Sequence, residues 1–347
     1  MRYKLFGDNT GLRVSELALG AGNFGTGWGY GADHDDARRI IDAYADAGGN
    51  FIDTANSYQG GQSEEIIGEA LAGRRDDFVV ATKYTAPGGA RGGILATGNS
   101  RKAMVTSVED SLKRLKSDYI DLLWVHMSDG VTPVEEIVRG FDDLVRAGKV
   151  IYAGLSDFPA WRVARAVTIA ELRGSAPIVG LQFEHSLVER SSEQELLPAG
   201  KALGLGMVAW SPLGGGMLTG KYRQQGATGR REGFGGNVFQ PENSALRTAI
   251  LDTLIEVSRE LNVTNSEVAI AWVAAKGTLP IIGPRTLEQL NNNLAAANLK
   301  LSPEHIARLD AVSALPPTFP YTVLEGARPL YTGGRVDLFD APTTTVA

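Results

Sequence analysis

Short apolar runs alternate with amphipathic stretches along almost the whole chain. After a β-hairpin expected at 1–16, Leu17-Ala18-Leu19-Gly20 is the first core strand, followed by helical periodicity over 35–47 through Ile40, Ile41, Ala43 and Tyr44. Further strands are predicted at 51–53, 78–83, 120–126, 150–156, 178–184, 206–212 and 280–283. Helices fall between them near 63–72, 101–116, 133–147, 159–173, 193–203, 245–261 and 266–275, with a last one from Thr286; Pro133 suits a first helical turn. The strands are apolar throughout, as strands covered on both faces are. Eight strand-to-helix steps predict a closed (β/α)8 TIM barrel with an N-terminal β-hairpin cap, a long loop after strand seven and a C-terminal tail. No linker or low-complexity segment divides residues 1–347, so one domain is expected, with a core over about 1–314 and a tail at 315–347.

Polar residues interrupt this pattern at the strand ends. Asp53, Lys83 and His126 each close an apolar run, and Tyr58 follows Asp53 by one short loop. Right-handed crossovers bring all strand C-termini to one face, so the four groups gather at one rim. A phenol is a weak acid alone, but a nearby ammonium favours the phenolate and makes the phenol a competent proton donor to a carbonyl oxygen. Lys83 can supply that charge, Asp53 can fix Lys83 by an ion pair, and His126 can orient the substrate oxygen. An Asp–Lys pair alone would read as a buried ion pair; four such groups at one rim point to an enzyme. Gly20-Ala21-Gly22-Asn23-Phe24-Gly25 matches the outline of a dinucleotide-binding turn. Six residues, Thr26 to Gly31, then delay the helix, and no topology switch follows, so the barrel is the stronger reading.

Composition narrows the picture. A formal charge of -6 and an isoelectric point near 5.4 give no basic footprint for nucleic acid. With no cysteine, disulfides and thiolate chemistry are excluded, and no His/carboxylate spacing supports a metal site. The chain start lacks a signal-like apolar segment and no run could span a bilayer, so a soluble cytoplasmic protein is expected.

Phe51-Ile52-Asp53-Thr54-Ala55-Asn56-Ser57-Tyr58, Ala81-Thr82-Lys83 and Tyr119 through His126 resemble the aldo-keto reductases. So do Gly148 through Ser156 and Ala209 through Tyr222, giving a resemblance over roughly 1–310 that looks nearest to the bacterial and potassium-channel-β-subunit-like branch. The resemblance implies Tyr58 as general acid, Lys83 and Asp53 as its tuning pair, and His126 as the substrate-orienting donor in C=O chemistry. It implies NADP(H), with NAD(H) as an alternative, bound without a dinucleotide-binding turn. Gly22, Asn23 and Asp53 would border the cofactor; Ser156, Asp157 and Gln182 would meet its carboxamide, and Trp210 would stack on the nicotinamide. Ser211, Leu213, Gly214, Gly216 and Lys221 would take the pyrophosphate and ribose, and Gly283, Arg285, Gln289, Asn292 and Asn293 the adenosine end, with Arg285 on the 2′-phosphate.

Asp157 departs from the asparagine usual in the family; an ionised carboxylate can accept from an amide but cannot donate to it. Phe24, Trp28, Tyr84 and Met127 are expected as substrate contacts. His34 and His305 are expected at the surface and His185 in packing. The loops at 88–93 and 223–236 could cradle phosphate, although solvated arginines are the simpler expectation there. The tail, with Phe319, Tyr321, Tyr331 and Phe339, could close over the mouth or run along the wall. The expected partner is a small carbonyl or alcohol, and the oligomeric state is left open. The alternative function is a cofactor-binding regulatory or sensor protein with little turnover, as the channel β-subunits permit.

Overall fold

The computed structural model describes residues 1–89, 92–224 and 238–340. Strands β1 (Tyr3–Leu5) and β2 (Arg13–Ser15) form an antiparallel hairpin. Eight parallel strands close a barrel: β3 (Ala18–Gly20), β4 (Phe51–Asp53), β5 (Val79–Tyr84), β6 (Ile120–Val125), β7 (Val150–Ser156), β8 (Ile178–Glu184), β9 (Gly206–Trp210) and β10 (Leu279–Ile282), with β10 pairing back to β3. The chain therefore folds as the expected (β/α)8 barrel with a hairpin beneath it.

Helices α1 (His34–Asp46), α2 (Gln62–Ala70), α3 (Arg101–Leu115), α4 (Val134–Arg146), α5 (Ala160–Arg173), α6 (Leu196–Ala202), α7 (Ala245–Leu261), α8 (Asn265–Ala275) and α9 (Leu287–Ala295) lie between and after the strands, followed by α10 (Pro303–Val312) and α11 (Tyr321–Tyr331). Local chemistry sets several of their starts. Asp33 and Ser100 accept from the backbone N–H groups of Asp36 and Ala103, and Thr264 with Glu267 forms a capping box. Pro133 caps α4 from outside rather than opening its first turn, a shift of one residue.

The two-residue pleat sorts side chains between two cores. Phe51, Ala81, Leu122, Trp124, Val208 and Ile281 point into the barrel, where Phe6 from the hairpin joins them. Ile52, Val80, Leu123, Val125 and Leu155 point outward against Ile40, Val108, Phe141 and Val163 of the helices. Each fully buried side chain of this kind contributes about 1.5–3 kcal/mol. Phe6 meets Phe51 and Trp124 edge-on, with centroids 5.8 and 6.4 Å away, so the hairpin stoppers the barrel floor.

The tail beyond α10 carries α11, a helix the apolar pattern did not announce. It is tied to the start of α6: Tyr321 donates to Glu195 (2.7 Å) and Thr318 to Gln194 (3.0 Å). These bonds run along the outer wall, while Phe319 and Tyr331 are exposed. Among the described residues no helix is long and apolar enough to cross a membrane.

Candidate active site

The pleat that sends Ile52, Thr82 and Val125 outward turns Asp53, Lys83 and the following His126 toward the barrel axis at its mouth. Lys83 Nζ bonds Asp53 Oδ2, the Thr54 carbonyl at 2.9 Å and Tyr58 Oη at 3.3 Å. Both ions of the pair are wholly buried. Desolvation pulls the Lys83 ammonium down, but the charges of Asp53 and Tyr58 outweigh it and hold Lys83 above its usual value. Lys83 therefore stays an ammonium beside the phenol.

Tyr58 is half-buried, with the His126 ring edge-on at 5.8 Å on one side and Trp28 edge-on at 6.1 Å on the other. Burial, aided by the Lys83 charge, pushes His126 down to about 3, so its ring is neutral at ordinary pH. Its Nδ1 is enclosed with no hydrogen-bond partner. We assign the ring proton to Nε2, where an oxygen in the cleft can accept it. The structure thus brings all four predicted residues together.

Two contributors were not singled out in the sequence reading. Gln59, buried beside Tyr58, donates to the carbonyls of Gly22 and Tyr30 and accepts from the Trp28 N–H. It thereby staples the loop after β3 against the Tyr58 loop. Trp124 donates its indole N–H to Asp53 Oδ1 at 3.0 Å, next to Gln182 Nε2 at 2.9 Å. The expected partner for Gln182 was a carboxamide; its N–H is on Asp53 here.

The residues assigned to a nicotinamide cofactor line a path across the mouth. Ser156 Oγ is fully buried and has no partner, which fits a planar amide seeking a hydroxyl. Trp210 ends β9 half-buried and donates to Asp157 Oδ1 at 3.0 Å. Ser211 has φ +57 and accepts from the Gly215 N–H at 3.0 Å. After Leu213, Gly214, Gly215 and Gly216 all have positive φ. A Cβ on Gly216 would lie 3.4 Å from Lys221 Cε, so the turn brings bare backbone under a basic side chain. Across the mouth, Asn23 Nδ2 donates to the Gly283 carbonyl at 2.9 Å, and Gly22 lies against the Tyr58 ring. The Arg285 guanidinium stands 4.3 Å over Tyr30, and Gln289 accepts from the Arg285 backbone N–H at 2.8 Å. Asn292 is exposed on α9, whereas Asn293 is buried. These residues fit an extended dinucleotide.

Of the expected substrate contacts, Trp28 and Met127 are exposed, at 46% and 42%. Phe24 and Tyr84 are not available: both are buried in the outer core, and Tyr84 donates to the Asn99 carbonyl at 3.2 Å. The pleat explains Tyr84, since a strand that points Lys83 inward points its successor outward. His34 is exposed as expected. His305 differs, being partly covered and bonded to Ser302 at 2.9 Å. His185 is a packing residue, tilted on Trp272 at 5.2 Å and bonded to Glu193 at 2.8 Å. Arg223 is exposed, as expected, and pairs there with Glu242 and Asp252; residues 90–91 and 225–236 of the two candidate phosphate loops lie outside the described residues.

The chain matches the aldo/keto reductase family over residues 16–314. Among curated relatives, an aryl-alcohol dehydrogenase [NADP(+)] of Phanerodontia chrysosporium is 36% identical, the match covering 92% of this chain and 88% of that protein. A norsolorinic acid reductase of Aspergillus flavus is also 36% identical, over 93% and 84%. An uncharacterized oxidoreductase of Bacillus subtilis, YrpG, is 39% identical, over 90% and 96%. With a family match across most of its length and relatives of this identity, the chain belongs to the aldo/keto reductase family.

Proposed function

We propose that this protein is an NADP(H)-dependent oxidoreductase that interconverts an aldehyde or ketone with its alcohol, with Tyr58 as the proton donor. The observation that carries this reading is the buried Lys83 ammonium, 3.3 Å from Tyr58 Oη and paired with Asp53. Placed there, the charge favours the phenolate left after proton transfer, so the proton moves more readily to a substrate oxygen. His126, neutral and half-buried, holds the same oxygen by its N–H. Bound across Ser156, Trp210 and the 211–221 turn, a nicotinamide cofactor supplies or accepts the hydride. Trp210 fixes one ring face and leaves the other for the substrate; Arg285 takes a 2′-phosphate, which favours NADP(H) over NAD(H).

The substrate class we propose is aromatic. Trp28 and Met127 offer apolar surface at the mouth beside Tyr58. Two relatives have names that specify an aryl alcohol and norsolorinic acid, in keeping with such a surface. The test is NADPH oxidation across a panel of aryl and alkyl aldehydes and ketones, with Tyr58→Phe as control. Turnover that falls about a thousandfold or more in Tyr58→Phe, with NADPH binding retained, is expected. Tight NADPH binding without turnover of any carbonyl would instead favour the sensor reading.

A further inference from the structure

Asp53 divides its two oxygens between different kinds of partner. Oδ2 takes the Lys83 ammonium, while Oδ1 takes two neutral donors, Trp124 Nε1–H at 3.0 Å and Gln182 Nε2–H at 2.9 Å. A carboxylate held at one oxygen by a single ion could turn about its Cβ–Cγ bond and offer either oxygen. Donors fixed on Oδ1 remove that freedom, so they also fix where Oδ2 holds Lys83 Nζ relative to Tyr58 Oη.

The indole is itself held without slack. Lys83, Trp124, Gly154, Gly180 and Gly206 are successive register partners on β5 to β9. A Cβ on Gly154 would stand 2.4 Å from the Trp124 ring, and one on Gly180 2.8 Å away. Phe6 supports the ring from below. The glycines form a slot that only a bare backbone permits, and the indole fills it with its N–H aimed at Asp53.

We infer that Trp124 is a positioning residue for the proton relay, acting through Asp53 and Lys83 to set the field at Tyr58. This rests on Tyr58 being the proton donor. Its N–H spreads the Asp53 charge over a second partner, which leaves more of the ammonium's field for the phenol. Without it, Asp53 offsets Lys83 more fully, and less of the ammonium's field reaches the Tyr58 hydroxyl.

Trp124→Phe removes the N–H and keeps an aromatic ring in the slot. Alcohol oxidation with saturating NADP+ should then rise with pH along a limb displaced upward by about half a pH unit. Its kcat should fall about tenfold while the cofactor KM is unchanged. Trp124→His, which keeps a ring donor, should recover part of both effects. Gly154→Ala leaves Trp124 in the chain but pushes the ring from Asp53, so it should displace the limb in the same direction even if Trp124→Phe does not fold. A folded Trp124→Phe or Gly154→Ala enzyme with wild-type kcat and limb position would overturn the role of Trp124. The reading of Tyr58 fails separately, through an inactive wild type or full activity in Tyr58→Phe, and the Trp124 role falls with it.

Discussion

Trp210 and Asp157 are joined by a hydrogen bond of 3.0 Å from the indole N–H to Oδ1, linking the ends of β9 and β7 across the mouth. Asp157 has φ +49, a left-handed conformation that aspartate and asparagine tolerate better than most residues. The residue is exposed at the cleft edge, yet the protein around its carboxyl pushes it up to about 6, against the pull of the Trp210 N–H and the Lys83 charge.

A carboxyl raised in the folded state prefers its neutral form. Whatever stability that preference confers is complete below the unfolded value near 3.8 and is lost as pH rises through about 6. Asp157→Asn keeps an acceptor for Trp210 and cannot ionise. Its Tm should match wild type near pH 4 and exceed it near pH 8; equal Tm values at both would contradict the assignment. Because an anion beside the ring favours a cationic nicotinamide, the same variant should bind NADP+ more weakly relative to NADPH, as read by fluorescence titration.

His126 carries the opposite dependence. Its folded value is about 3 against 6.5 unfolded, so the unfolded chain takes up the proton first as pH falls. The stability linked to a neutral His126 is complete above about 6.5 and is lost progressively as pH falls from there through about 3. His126→Gln, which keeps a donor, should lose less Tm between pH 7 and pH 4 than wild type. His126→Phe should lower kcat/KM for carbonyl reduction by about 10- to 100-fold, without moving any limb of the wild-type profile between pH 5 and 8.

The Lys83–Asp53 pair predicts a thermodynamic asymmetry. Removing either partner strands a buried charge, which costs about 3–5 kcal/mol, so Lys83→Met and Asp53→Leu should each shift the urea midpoint strongly downward. The double variant should recover a large part of that loss, because neither charge is left; a strictly additive double variant would argue against a coupled pair. As Lys83 is held above its ordinary value of 10.5, its contribution is complete below that value and is lost as pH rises through the higher folded value.

Arg285 sets the fourth expectation. Its side chain leans on Tyr30, and it is the residue proposed to meet a 2′-phosphate. Arg285→Ala should raise the KM for NADPH by about 10-fold or more and leave that for NADH and kcat nearly unchanged. Equal losses for both cofactors would remove the 2′-phosphate assignment.

Most of the barrel was legible because its signal is local. A strand buried on both faces must be an apolar run, and the polar Asp53 at the end of Phe51–Asp53 and Lys83 near the end of Val79–Tyr84 mark the rim directly. What was illegible depends on which way a side chain faces. Phe24 and Tyr84 lie beside rim residues in sequence yet point into the outer core, a distinction the pleat makes and the apolar pattern does not. Trp124 was hidden differently: inside Leu122-Leu123-Trp124-Val125 it looks like core, and its partner Asp53 is 71 residues away. The glycines at 154 and 180 were the available trace, since small residues at matching strand positions mark something large between them.

The stoppered floor has a consequence for traffic. With Phe6 packed under Trp124 at one end, the approach to Tyr58 lies at the other, where Trp28 and Met127 are exposed. If a cofactor and a substrate share that approach, product-inhibition patterns should show an ordered sequence. The deeper of the two would then enter first and leave last.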